Sequence, residues 1–240
     1  MELTICEKWT QYVQLPKEKW FLDYVVRSPR DAGVHLTAGW HCYQLIKKLG
    51  VEINSAVEFF GGMGAQSMMI QDLFAPQNHV VMDYSHEAVN HIKAQVYGVY
   101  AHQADSYDPM WAHKADLVGL DFGDLTVWKT RVGEAHRDLL DRVFEDEPKA
   151  VVLTDIACRY LHLHRERYES LLGLGTCASY DRYLEALAKR FRQLYGYDVV
   201  KGYSHRWSTV MVLMPKGTTY KPMERFEPTP DSPVGLQVIQ

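Results

Sequence analysis

The chain has 240 residues and a formal net charge of −4; 47% of the residues are hydrophobic and 23% are charged. This composition excludes a disordered chain and a fibrous repeat, and the length suits one large α/β domain as well as two small domains. The sequence has no apolar run near the roughly 20 residues of a membrane span, no secretory-signal pattern at its start and only four scattered cysteines, so we expect a cytoplasmic protein without membrane contact.

The predicted elements begin with a helical segment and continue as alternating strands and helices. Trp20, Phe21 and Tyr24 are spaced for one helix face, and Trp40 and Tyr43 lie on a second such stretch. From residue 56 onward, short apolar runs predict the strands AVEFF, HVVMDY, VYAHQAD, ADLVGLDFG and AVVLTDIA. The intervening and following amphipathic stretches predict the helices MMIQDLF, HEAVNHIKAQV, 132–144 and 180–195.

The last two predicted strands, YDVVKGY and STVMVLMP, are joined by the short link SHRW. A parallel crossover needs about a dozen residues or more, so these two strands are expected to pair antiparallel. The predicted fold class is therefore an α/β three-layer sandwich: a mostly parallel seven-stranded sheet with an antiparallel final strand, helices on both faces and an N-terminal helical segment. The expected organisation is a helical segment over 1–55, the main domain over 56–214 and a proline-rich arm over 215–240.

A glycine-rich turn, EFFGGMGA, joins the first predicted strand to its helix. Gly61, Gly62 and Gly64 permit positive φ angles and a close approach of the backbone to a ligand. The amides at the start of the following helix would point to the same place, which favours an anionic or polar group there. The alternative is that Gly62 and Gly64 serve only a tight packing turn.

Acidic residues lie at the ends of the next three predicted strands. Asp83 ends the second strand, Asp105 the third and Asp121 the fourth. Open α/β sheets bind ligands at the carboxyl ends of their strands, and an acid after the second strand commonly accepts the ribose hydroxyls of a nucleotide. We therefore expect a nucleoside-containing cofactor, with Asp105 near an adenine amino group, although Asp105 fits a solvated loop equally well.

Over roughly residues 56–214, the chain resembles the class I S-adenosylmethionine-dependent methyltransferases. The segment 58–64 resembles motif I, which binds the methionine part of S-adenosylmethionine. Asp83 matches the ribose-binding acid, Tyr84 the residue that packs on adenine, and Asp105 the acid near the adenine amino group. The residues that the resemblance assigns to the cofactor are Glu58, Phe60, Gly61, Gly62, Gly64, Asp83, Tyr84, Asp105 and Asp121.

Two features favour a nucleic-acid substrate. Phe60 gives motif I an F-x-G-x-G form, which resembles that of many DNA and RNA methyltransferases. Residues 156–225 contain 12 Lys and Arg against 6 Asp and Glu, whereas residues 1–155 contain 14 against 22. A basic region favours contact with DNA or RNA, and an ordinary solvated helix surface is the equally good alternative.

The segment Asp121-Phe122-Gly123-Asp124 occupies the motif IV position of the resemblance. It lacks the proline pair that amino-methylating relatives carry, and no Pro-Cys nucleophile of the cytosine-C5 type is present. The expected reaction is therefore N- or O-methylation by positioning rather than by a covalent nucleophile. Asp121 and Asp124 are the candidate catalytic residues, and Asp124 suits a turn as well.

The link between the last two strands supplies candidates for substrate binding. His205, Arg206 and Trp207 combine a basic group and an aromatic ring, which suits a stacked base, and a plain hairpin turn is the alternative. No metal site is expected, because His162 and His164 are two positions apart and would point to different helix faces.

The leading hypothesis is thus a methyltransferase that acts on a nucleic acid or nucleotide. The acidic total charge favours a first alternative, a methyltransferase for a small molecule or a protein. The unusual motif IV favours a second, a protein of this fold that binds or scaffolds without transferring a methyl group.

Overall fold

The structure is a computed structural model, and it describes residues 29–62, 64–109, 114–122, 131–155, 180–205, 208–218 and 224–225. The helices in these ranges are α1 (Pro29–Lys48), α2 (Ala65–Phe74), α3 (His86–Gln95), α4 (Arg131–Glu145) and α5 (Tyr180–Tyr195). The strands are β1 (Ser55–Phe59), β2 (Asn78–Asp83), β3 (Tyr100–Gln103), β4 (Leu117–Phe122), β5 (Ala150–Asp155), β6 (Tyr197–His205), β7 (Ser208–Pro215) and β8 (Glu224–Arg225).

All eight described strands form one sheet, in the order β3-β2-β1-β4-β5-β7-β6-β8. Strands β1 to β5 pair in parallel, and β7 runs antiparallel to both β5 and β6. The predicted fold class is confirmed, including the antiparallel seventh strand, β7. The sequence did not predict β8, a two-residue strand that pairs in parallel with β6 and lies within the segment assigned to the arm.

The two faces of the sheet bury separate apolar clusters. On one face, Ala56, Leu117 and Val152 pack against residues of α1 and α2; we call this the α1 face. On the opposite face, Val57 and Leu120 pack against residues of α4 and α5. Because successive side chains of a strand point to opposite faces, strands buried on both sides need continuous apolar runs, which the sequence provides.

Local signals fix where the helices next to β1 and β2 begin. Ser85 precedes α3, and its hydroxyl accepts a hydrogen bond from the amide of Ala88 at 3.3 Å. Glu87 stands in the first turn of α3, where the helix dipole favours an anion. α2 follows Gly64, whose φ is 80°. Both helices begin within a few residues of the carboxyl ends of the strands that precede them.

No helix in the described ranges combines the length and the apolar character that crossing a bilayer requires.

Candidate functional site

Three described residues of the turn between β1 and α2 lie in the left-handed region. Their φ angles are 62° at Phe60, 52° at Gly62 and 80° at Gly64. This conformation costs a non-glycine residue about 1–2 kcal/mol, and neighbouring contacts hold Phe60 in it. The Phe60 amide donates to the Ser106 hydroxyl at 3.2 Å, and the Phe60 ring lies 5.1 Å from that of Tyr107. Strain that is held in place in this way is common where a turn meets a ligand.

The glycines of the turn have different reasons for lacking a side chain. A Cβ on Gly61 would collide with the side chain of Val81, and one on Gly64 would come within 2.9 Å of Ile92 Cγ1. At Gly62, the nearest heavy atom would be the Phe60 carbonyl oxygen, 4.0 Å away. Packing therefore leaves no room for a side chain at Gly61 and Gly64, whereas Gly62 has open space beside it.

Asp83 ties the end of β2 to this turn. One carboxylate oxygen accepts from the Gly62 amide at 2.8 Å, and the other accepts from the Ser85 amide at 2.8 Å. Burial raises the pKa of Asp83, although these backbone hydrogen bonds act in the opposite direction. Each carboxylate oxygen can accept more than one hydrogen bond, so the group retains acceptor capacity for ligand hydroxyls.

Glu58 is 2% exposed and contacts a buried histidine, His79, which was not among the site residues predicted from the sequence. The Nε2 atom of His79 lies 2.7 Å from Glu58 Oε1, and its Nδ1 lies 2.9 Å from the Gln71 side-chain nitrogen. His79 and Glu58 share the α1 face because Glu58 pairs with Val81, two residues after His79. The visible signal was a histidine at the start of an apolar strand, but only the strand register connects it to Glu58.

Asp121 occupies the same face, two residues beyond Gly119 of β4. The side chain is partly buried, and its Oδ1 atom is enclosed without a hydrogen-bond partner among the described residues. Burial raises the pKa of Asp121 to about 7, and the charges of Glu58 and Asp83 contribute in the same direction. Thr154, its register partner on β5, also has a buried hydroxyl without a partner in the described ranges.

Tyr43 of α1 completes the polar group on this face. Its hydroxyl donates to Gln66 Oε1 at 2.6 Å, and a Cβ on Gly119 would lie 3.4 Å from that hydroxyl. Burial raises the pKa of Tyr43 well above its usual value, and the charges of Glu58 and Asp121 add to the effect. From the sequence, Tyr43 could be assigned only to a helix face, because a local residue pattern does not indicate which strand a helix will cover.

The two adenine-side candidates lie at the same edge of the sheet. Tyr84 follows Asp83 and is 80% exposed, with its carbonyl held by the Gln103 side chain at 3.2 Å. Asp105 is exposed, and its Oδ1 atom accepts from the Tyr107 amide at 3.0 Å. The turn role foreseen for Asp105 is thus present, and the ring of Tyr84 is accessible for stacking.

Several predicted residues lie outside the described residues: Asp124, Arg206, Trp207 and the side chain of His205. Their assigned roles remain predictions. Within the described ranges, no group of three His, Cys, Asp or Glu side chains is arranged to hold a metal ion.

The site has a marked negative character. Glu58, Asp83 and Asp121 all lie on the α1 face near the carboxyl ends of their strands. In the part of the chain that the structure describes, the imidazole of His79 is the basic side chain in contact with this group, 2.7 Å from Glu58 Oε1. An arrangement of this kind favours a ligand that carries hydroxyls and a positive charge.

Comparisons with known proteins give a fold but no match in sequence. Neither the protein-family models nor the curated proteins include a match to this sequence. A solved protein of Thermoplasma acidophilum has a TM-score of 0.54 at 14% identity, over 90% of this chain and 100% of its own. The methyltransferase domain of the bacterial CtHen1-C has a TM-score of 0.52 at 10% identity, over 77% of this chain and 100% of its own.

A third solved structure is that of a Pyrococcus horikoshii protein proposed to be an RNA methyltransferase. It has a TM-score of 0.50 at 14% identity, over 79% of this chain and 87% of its own. Identities this low compare the folds alone. The strand order and these superpositions together show that the chain has the Rossmann-like fold of the class I S-adenosylmethionine-dependent methyltransferases.

Proposed function

We propose that this protein binds S-adenosylmethionine at the turn after β1 and transfers its methyl group to an acceptor. The observation that carries the proposal is the hydrogen bond between the Gly62 amide and the Asp83 carboxylate. It joins the open glycine of the turn to the acid at the end of the neighbouring strand, which is where this class of sheet binds nucleosides.

The residues present fit this cofactor. The turn 58–64 would hold the methionine part, with the Gly62 side of the backbone open to it. Asp83 would accept the ribose hydroxyls, and the exposed ring of Tyr84 would stack on adenine. Asp105 would accept from the adenine amino group through its second carboxylate oxygen. The sulfonium charge suits a site that contains Glu58, Asp83 and Asp121.

Asp121 is the proposed general base. The bound cofactor would supply a methyl group on a sulfonium, whose sulfur leaves as a neutral thioether, so the protein needs no covalent nucleophile. A pKa of about 7 places Asp121 where it is partly ionised at neutral pH and able to take the proton that the acceptor loses. Asp124, in the same motif, is proposed to position the acceptor.

The proposed acceptor is a nucleic acid or a nucleotide. The support is the basic composition of residues 156–225 and the F-x-G-x-G form of the turn. His205, Arg206 and Trp207 are proposed to contact the acceptor base. The acidic total charge supports a second candidate acceptor, a small molecule or a protein.

Calorimetry with S-adenosylmethionine, S-adenosylhomocysteine and NAD tests the cofactor. We expect the two S-adenosyl ligands to bind and NAD not to bind. Absence of binding by either S-adenosyl ligand would refute the proposal, and NAD binding alone would indicate a nicotinamide-dependent reductase.

Methyl-label transfer from labelled cofactor identifies the acceptor. Separate pools of DNA, RNA, protein and small metabolites are incubated with the protein, and we expect label in a nucleic-acid pool. Label in the protein or metabolite pool would instead support the second candidate. Cofactor binding without label in any pool would favour the binding or scaffold role.

A further inference from the structure

A chain of three side-chain contacts runs beneath the site, from the loop after α3 to Glu58. The Gln71 side-chain nitrogen donates to the Gly98 carbonyl at 3.0 Å and lies 2.9 Å from His79 Nδ1. His79 Nε2 lies 2.7 Å from Glu58 Oε1. His79 and Glu58 are buried and Gln71 is half-buried, so water competes little for the contact between His79 and Glu58.

Counting donors and acceptors fixes the protonation of this chain. The Gly98 carbonyl can only accept, so the Gln71 group beside it is the amide NH₂, which has two hydrogens to donate. One hydrogen goes to Gly98, and the other goes to His79 Nδ1, which must therefore carry no proton. The proton of the imidazole then lies on Nε2 and is donated to the carboxylate of Glu58.

The histidine consequently orients Glu58 without neutralising it. A neutral imidazole gives the carboxylate one hydrogen bond and leaves its full negative charge in the site. The titratable groups that share this face are His79 and Asp83 on β2, Asp121 on β4, and Cys42 and Tyr43 on α1. α2 adds only the uncharged amides of Gln66 and Gln71.

We infer that His79 is a positioning residue that acts through Glu58 to hold a cationic group of the ligand. Gln71 and Gly98 lock its imidazole as the Nε2–H tautomer, whose N–H donates to the Glu58 carboxylate and holds it beside the β1 turn. The inference rests on the proposed function, because the cation would be the sulfonium or the ammonium of S-adenosylmethionine. Without the donor, the buried Glu58 carboxylate would lose the hydrogen bond that fixes its position, and a buried acceptor without a partner is unfavourable.

A double-mutant cycle tests the coupling of His79 to Glu58. We expect His79→Phe to weaken S-adenosylmethionine binding at pH 7 by roughly tenfold or more. In the Glu58→Gln background, His79→Phe should cause no further loss. His79→Gln, which can still donate to Glu58, should recover much of the affinity. Additive losses from the two substitutions, or no recovery in His79→Gln, would overturn the inference.

Ser67→Ala is the matched control. Ser67 is a buried polar residue of α2, one turn before Gln71, and its hydroxyl has no partner among the described residues. We expect this variant to bind the cofactor as the unmodified protein does. An equal loss of affinity in Ser67→Ala would show that the effect comes from general loosening of α2 and would count against His79.

A ligand-free measurement separates this inference from the proposed function. Nitrogen-15 NMR of the neutral imidazole in the unmodified protein should show a proton on Nε2 and none on Nδ1. Gln71→Leu should release this lock and allow a mixture of tautomers. A proton on Nδ1 in the unmodified protein would refute the inference, whether or not the cofactor binds.

Discussion

The pKa of Asp121 differs strongly from that of a carboxyl group in water. Burial raises its pKa to about 7, with further contributions from Glu58 and Asp83. The folded protein therefore retains a proton that the unfolded chain releases near pH 4. Between about pH 4 and pH 7 the folded state binds more protons than the unfolded state, so the free energy of unfolding falls as the pH rises through this window.

We predict that Asp121→Asn makes the protein more stable and less active. Asparagine removes the ionisable group, so the gain in the free energy of unfolding should be about 2 kcal/mol larger at pH 8 than at pH 5. Methyl transfer should fall at least about a hundredfold, because the proposed base is lost. Denaturant unfolding at the two pH values and label transfer check the prediction.

Asp72→Asn, an exposed acid on α2, is the control and should change neither quantity. A stability gain that is the same at pH 5 and pH 8 would contradict the assigned ionisation. Full activity of Asp121→Asn would exclude Asp121 as the base.

A second prediction at this scale concerns Asp83. Asp83→Asn should weaken S-adenosylmethionine binding roughly tenfold to a hundredfold, because an amide cannot accept from the Gly62 amide, the Ser85 amide and two ligand hydroxyls together. Calorimetry measures the change, and circular dichroism checks that the fold is retained. Unchanged affinity in a folded variant would remove Asp83 from the ribose site.

At the scale of elements, two neighbouring glycines of the β1–α2 turn have different surroundings. Gly61 packs against β2 through the side chain of Val81, whereas Gly62 has open space beside it and a φ of 52°. Helix α2 begins immediately after this turn, so a change in either glycine acts on the connection that the ligand is proposed to occupy.

We predict opposite profiles for alanine at these two glycines. Gly61→Ala should lower the free energy of unfolding by about 2–3 kcal/mol, because its Cβ overlaps Val81. Gly62→Ala should cost only about 1–2 kcal/mol from its backbone conformation, while cofactor affinity falls at least about tenfold. Unfolding curves and calorimetry on both variants give the comparison. Unchanged affinity in Gly62→Ala would show that the ligand does not pass this residue.

The elements themselves were predicted well from local patterns. The seven predicted strands are all present, and Ser85 caps α3 as expected. Boundaries differ by a few residues; α2, for example, begins at Ala65 rather than at the first methionine of MMIQDLF. The two-residue β8 was missed, because Glu224 and Arg225 carry no apolar pattern and are a strand only through their pairing with β6.

At the scale of the whole molecule, the acidic composition of residues 1–155 and the basic composition of residues 156–225 predict how an acceptor would bind. If the basic region 156–225 contacts a nucleic acid, retention of RNA or DNA should fall steeply with salt, because binding releases condensed counterions. Three arginines of this region, Arg159, Arg165 and Arg167, lie outside the described residues and are candidates for phosphate contact. Replacing them with glutamine should weaken retention and reduce the salt slope. Gel retention at several salt concentrations measures both.

Replacing the exposed Lys93 of α3 with glutamine is the control, and it should leave retention unchanged. Absence of retention at low salt in the unmodified protein would argue against a nucleic-acid acceptor. The cofactor proposal would be unaffected, because it depends on residues of β1, β2 and β4.

The amino-acid sequence by itself determined the order of the strands and helices, the parallel sheet and the acids at the strand ends. These follow from local periodicity, because a strand buried on both faces must be continuously apolar and a covering helix must carry an apolar stripe. The turn glycines, Asp83 and Asp121 were identified because they lie at or just after the ends of predicted strands.

Only the tertiary structure decided which groups meet. The contact of His79 with Glu58 depends on the register between β1 and β2, and the position of Tyr43 near Gly119 depends on which strands α1 covers. The raised pKa of Asp121 depends on burial and on charges carried by two other strands. Such distances join residues far apart in the chain, and a local sequence pattern has no physical means of specifying them.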